Sequence, residues 1–144
     1  MTSVNLNIDI SILIILILIV FSVMYFNKDP GVCEYDPILN RLIKDAKLIE
    51  PRSAELEFFT SDESYTEDKK RIFLCLKDKN NQYYSYNHLI QVLIHELAHA
   101  FCSVIDKEHK TDEFNNLHLQ YRKTAESKNL VDLSDPVPPT YCRY

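Results

Sequence analysis

The chain holds 144 residues, with 16 lysines and arginines against 21 aspartates and glutamates, for a formal net charge of −5. A hydrophobic share of 46% excludes a disordered acidic tail, and a single glycine excludes glycine-rich phosphate loops and collagen-like repeats. The acidic balance argues against a dedicated nucleic-acid binder, which carries a basic stripe, and four cysteines are too few for a disulfide scaffold.

After a short tail, residues 1–9, no side chain between Asp9 and Lys28 is charged, and Ile10 to Phe26 is almost all Ile, Leu, Val, Phe and Met. Those residues rise about 25 Å as a helix, and Tyr25 and Lys28 extend the span by snorkelling. The expectation is one uncleaved transmembrane helix over 10–27 and a single-pass membrane location. A signal peptide would need a basic start and a small-residue cleavage site, and neither is present. The flanking charges leave the orientation open.

Residues 28–144 then form the domain. Asp36-Pro37 reads as an N-cap followed by proline at the first helical position, and Ile38, Leu42, Ile43, Ala46 and Ile49 recur at helical spacing. A helix is expected over 37–49, closed by Glu50-Pro51 because the residue before proline avoids the helical region. Residues 52–69 read as a short strand and a loop, and 70–77 as a strand apolar on both faces (Ile72, Leu74 and Leu76 against Phe73 and Cys75). Asp78 to Asn81 is a turn, and Gln82 to Tyr86 is a possible return strand. Asn87 can cap a helix over 88–106 whose apolar residues wrap most of its circumference, the mark of a buried element. A polar loop (Asp106 to Lys110), a third helix from about Thr111 and an extended proline-bearing tail from Val131 complete the chain. Cys33, Cys75, Cys102 and Cys142 allow two bridges in three pairings or four thiols, with Cys102 reading as a small core residue.

The chemistry lies on the buried helix, in His95-Glu96-Leu97-Ala98-His99. Residues i and i+4 differ by about 40° around a helix, so both imidazoles leave one face a turn apart, a spacing that suits one Zn²⁺. Glu96 is offset by about 100°, within reach of a zinc-acidified water for which it can serve as general base, but it is not itself a ligand. Two histidines and a glutamate inside an apolar helix are costly to bury without partners, and a metal supplies partners for the imidazoles, the other reading being satisfied core histidines. A catalytic zinc takes three protein ligands and keeps one position open. His109, ten residues after His99 in the returning loop, is the best third candidate, with Glu113 and His118 as rivals. His88 reads as an N-terminal polar residue of the helix, and Tyr83, Tyr84 and Tyr86 as surface or packing residues.

The stretch Ile72 to Leu76, then Tyr84, Asn87 and Leu89, then Val92-Leu93-Ile94-His95-Glu96-Leu97-Ala98-His99 resembles the WLM/SprT-like zincin metallopeptidases, in particular short versions encoded by large DNA viruses. The likeness runs from about Ser64 to Cys142, a core of about 64–142, and includes Phe114 and the closing Pro139-Thr140-Tyr141-Cys142. Lys110 follows His109 here and Phe114 comes five residues on, one more than in the family pattern. The resemblance implies an α+β zincin-like domain, with an active-site helix packed on a small sheet and an edge strand, here 70–77, that holds an extended peptide. It further implies zinc on His95, His99 and His109, with Glu96 as general base.

Taken together, these features lead to the expectation of a membrane-anchored zinc endopeptidase acting on protein or peptide substrates, without nucleic-acid affinity. An inactive zincin-shaped binding module at the membrane and a purely structural zinc site are the alternatives.

Overall fold

The computed structural model describes residues 14, 15, 17–19 and 36–142. Two compact units divide the chain, residues 1–34 and 35–144. In the first, the five described residues are helical. The membrane helix expected over 10–27 is not supported: among the described residues no helix is long and apolar enough to cross a membrane. The single-pass membrane location loses its basis with the helix. The rest of that span, the 1–9 tail and Cys33 lie outside the described residues.

The second unit is α+β. Helix α1 spans Pro37–Ile49, where the Asp36 carboxylate accepts from the backbone N–H of Ile38 at 2.9 Å and of Leu39 at 3.1 Å. A 3-10 turn, Pro51–Glu55, follows at once. The strands are β1 (Glu57–Thr60), β2 (Tyr65–Glu67) and β3 (Arg71–Leu74), in the sheet order β1-β3-β2, with β1 parallel and β2 antiparallel to β3. The strand expected over 70–77 is therefore shorter, and it is central rather than an edge: both its sides are paired. The edge nearest the histidine helix is β2. Beyond β3 only a single bridge, Lys77 to Tyr83, remains of the expected return strand.

The β2–β3 connection is three residues, Asp68-Lys69-Lys70, the first two at positive φ (51° and 57°). Glycine normally takes the second such position, and a side chain there costs about 1 kcal/mol. Lys69 offsets the cost with its ammonium, which donates to the carbonyls of Cys102, Ser103 (2.7 Å) and Val104 (3.3 Å) at the end of the next helix.

That helix, α2, spans Tyr86–Phe101 and is capped by Ser85, two residues earlier than Asn87. It ends five residues before the expected 106. Val104 and Ile105 continue the apolar period, yet both are exposed. The Lys69 contacts and the Glu113 carboxylate, which accepts from the Ser103 N–H and hydroxyl at 2.6 Å each, pull this segment off the helix axis. Helix α3, Asp112–Ser127, starts at a Thr111 cap. Leu42, Ile72, Leu74, Leu89, Ile90, Leu93, Ile94, Leu97, Phe114 and Tyr121 fill the core between the sheet and the three helices. On the sheet's other face Phe59, Phe73 and Tyr65 stack in a row, with ring centroids 5.0 and 4.5 Å apart.

Cys75 and Cys142 form a disulfide, while Cys102 is buried and free.

Candidate metal centre

Helix α2 is pinned between sheet and helices by its apolar sides, which leaves one polar stripe for His95 and His99. Their Nε2 atoms lie 3.2 Å apart, as the i, i+4 spacing requires. His109 Nε2 comes to 3.0 Å from His99 Nε2, and all three ligand atoms fall within 4.8 Å of one another. His95 and His99 are half-buried, whereas His109 is exposed, so the cluster opens to solvent on the loop side.

Three converging imidazole nitrogens cannot satisfy one another. Each offers one N–H or one lone pair, and His99 Nε2 faces two partners at once. Two nitrogens each 2.0–2.1 Å from a tetrahedral ion are about 3.3 Å apart, close to the 3.2 and 3.0 Å by which His99 stands from His95 and His109. The donor set fits a divalent cation such as zinc, with one of four positions left to solvent. Burial, and after it the proximity of His99, His109 and His118, lowers His95 to about 3, so it is neutral and able to ligate at pH 7. His99 is also lowered, first by burial and then by His109.

The loop that delivers His109 is built around Asp106. Its carboxylate accepts from the N–H groups of Lys110 at 3.1 Å and Thr111 at 2.7 Å, and from the Thr111 hydroxyl at 2.6 Å. These bonds, the Thr111 hydroxyl first, hold Asp106 down to about 2. They close a tight turn in which His109 takes φ 57°, a left-handed conformation that histidine tolerates better than most residues. Phe114 packs beneath all three rings, with centroids 5.3, 4.5 and 4.9 Å from His95, His99 and His109.

The rivals for the third position stand elsewhere. Glu113 is committed to Ser103. The His118 ring lies 5.5 Å from that of His95 and is not part of the three-atom cluster. His88 approaches Asp135 at 3.2 Å. Tyr83 and Tyr86 donate their hydroxyls to Asp36 and Asp45, and the Tyr84 hydroxyl accepts from the Cys142 N–H.

Glu96 is turned toward β2 and is 5% exposed. Burial raises it to about 7, opposed by a hydrogen bond from Thr66, whose hydroxyl lies 2.9 Å from Glu96 Oε2. Neither Thr66 nor Asp106 is legible as a site residue from the sequence. Thr66 lies 30 positions from Glu96, and only the β2–β3 pairing brings it there. Asp106 left a local signal, an acidic residue just ahead of a threonine-capped helix.

No protein-family model matches the chain, and no solved structure does. The chain is 38% identical over 92 residues to "Uncharacterized protein 136R" of Invertebrate iridescent virus 6, a match over 62% of this chain and 50% of that protein. It is 35% identical over 88 residues to "Uncharacterized protein 042R" of Invertebrate iridescent virus 3, a match over 60% and 54%. The chain thus spans about half the length of these curated relatives.

Proposed function

We propose that the chain is a zinc-dependent endopeptidase. The observation that carries this is the convergence of three imidazole nitrogens, with His99 Nε2 3.2 and 3.0 Å from those of His95 and His109, on a helix whose residue next to His95, Glu96, is a buried carboxylate. Its support also includes the resemblance of Val92 to His99 to WLM/SprT-like metallopeptidases. His95, His99 and His109 would hold a divalent ion, which would supply Lewis acidity for the scissile carbonyl and for a water. Glu96 takes the proton from the attacking water and passes it to the leaving amine. A carboxyl raised to about 7 by burial suits both steps near neutral pH. The edge strand β2, which touches Glu96 through Thr66, offers main-chain groups to an extended peptide. A closed structural zinc site would need a fourth protein ligand, and among the described residues the cluster has three.

The test is Glu96→Gln against wild type on a broad peptide library, with metal content measured in both. The variant keeps one equivalent of zinc and loses cleavage by about 10²- to 10⁴-fold. Equal rates in the two proteins discard Glu96 as base. A zinc-loaded wild type that cleaves nothing points instead to an inactive binding module.

A further inference from the structure

Thr66 is the middle residue of β2, paired across the sheet with Ile72. Its neighbours Tyr65 and Glu67 are exposed, so strand alternation turns Thr66 inward onto α2. There its hydroxyl meets two oxygens of one residue, Glu96 Oε2 at 2.9 Å and the Glu96 backbone carbonyl at 3.0 Å. With one hydrogen to give, the hydroxyl lies within donating reach of both the carboxylate and the carbonyl of the same residue, and the shorter contact is the one to Oε2. A β-branched side chain on a paired strand has little χ1 freedom, so the donating oxygen is itself fixed.

We infer that the Thr66 hydroxyl is a positioning group that ties down Oε2 of Glu96 and leaves Oε1 as the oxygen that carries the proton. This rests on the endopeptidase function proposed above. With Glu96 ionised, Thr66 donates to Oε2. Once Oε1 has taken a proton from the attacking water, Oε2 is the carbonyl oxygen of the acid and still accepts from Thr66. The proton then leaves Oε1 for the departing amine, and the carboxylate is restored. Neither step requires the side chain to change rotamer, and no group other than water and the amide is consumed. Ser64, just before β2, anchors the strand: its hydroxyl accepts from the Cys75 N–H at 2.9 Å and lies 3.1 Å from the Tyr141 hydroxyl.

The experiment compares full-length wild type with Thr66→Val, Thr66→Ala and Thr66→Ser, all zinc-loaded. One arm reads three-bond NMR couplings of the Glu96 side chain, which report its rotamer without requiring activity. Wild type and Thr66→Ser show one χ1 rotamer, and the variants without a hydroxyl show averaging. A single wild-type rotamer in Thr66→Val, or in Thr66→Ala if the valine variant does not fold, overturns the inference. The second arm is peptide cleavage. Loss of a hydrogen bond to a charged group lowers kcat about 10- to 100-fold in Thr66→Val, while KM stays within about two-fold and Thr66→Ser recovers most of the rate. Unchanged kcat in Thr66→Val discards the positioning role and leaves the endopeptidase function standing. A wild type that cleaves no peptide while its Glu96 rotamer still depends on Thr66 sinks the endopeptidase function and leaves the positioning standing.

Discussion

At the scale of single residues, His109 is the member of the cluster whose place depends on a loop rather than on a helix. Its left-handed backbone costs about 1–2 kcal/mol, and the three bonds accepted by Asp106 keep it there. His109→Ala is expected to lower zinc affinity more than about 100-fold, beyond the range for supporting residues, and Asp106→Ala about 10- to 100-fold through the misplaced ring. His118→Ala should retain one equivalent of zinc. Titration with a competing chelator measures all three, and a His118→Ala loss as large as that of His109→Ala would move the third ligand to α3. The pairing of His95 with His99 could be read from spacing because 3.6 residues per turn leaves no alternative once the helix is granted. His109 could only be ranked against Glu113 and His118, since sequence separation does not say that Ser103 occupies the glutamate or that Asp106 folds the loop.

At the scale of elements, the junction of α1 with the 3-10 turn hangs on Glu50. Its carboxylate accepts from Arg52 Nε at 2.9 Å and Nη2 at 2.8 Å, and from the Tyr121 hydroxyl at 3.0 Å, which ties α1 to α3. The Arg52 bonds, with Tyr121 assisting, lower Glu50 from an ordinary 4.5 to about 2. A carboxylate depressed in the folded state stabilises above its unfolded value and loses that contribution as pH falls toward the folded one. Wild type should therefore lose stability between about pH 5 and pH 2 from this group, and Glu50→Gln should lack that portion of the fall. At pH 7 the variant is less stable by about 1–2 kcal/mol, the exposed Arg52 being partly screened. Urea unfolding at pH 7 and pH 3 reads the difference, and an equal gap at both would exclude Glu50 as its source. Capping and proline signals made α1 legible to the residue. The end of α2 was not, because Val104 and Ile105 keep the helical period while Lys69 and Glu113 stop the helix from outside. β2 left no pattern either, being three residues long and held by β3 and Glu96 rather than by its own alternation.

At the scale of the whole described unit, the C-terminal tail behaves as a strap whose two ends are fixed by different chemistry. Near its start, Asn87 donates to the carbonyls of Asp132 and Asp135 and accepts from the Asp132 N–H at 2.7 Å, and Gln91 donates to the Asp135 carbonyl at 2.7 Å. These contacts hold the tail against the first half of α2. At its end, Cys142 is bonded to Cys75, and the Tyr141 hydroxyl reaches the Cys75 carbonyl and Ser64. The composition that made residues 10–27 look like an anchor says nothing of such a strap, because it depends on which distant backbone groups the fold leaves open. The disulfide closes a separation of 67 residues, and chain entropy then puts its contribution at about 4 kcal/mol. Cys142→Ser, or wild type held in excess dithiol, should unfold at a lower temperature, and dithiol should shift the variant no further. The polar contacts at Asn87 and Gln91 do not need the bond, so the first half of the tail should stay protected from proteolysis while residues beyond Pro138 become cleavable. A midpoint that ignores dithiol, or a tail released whole from Asp132 onward, would show that the strap is not held at two independent points.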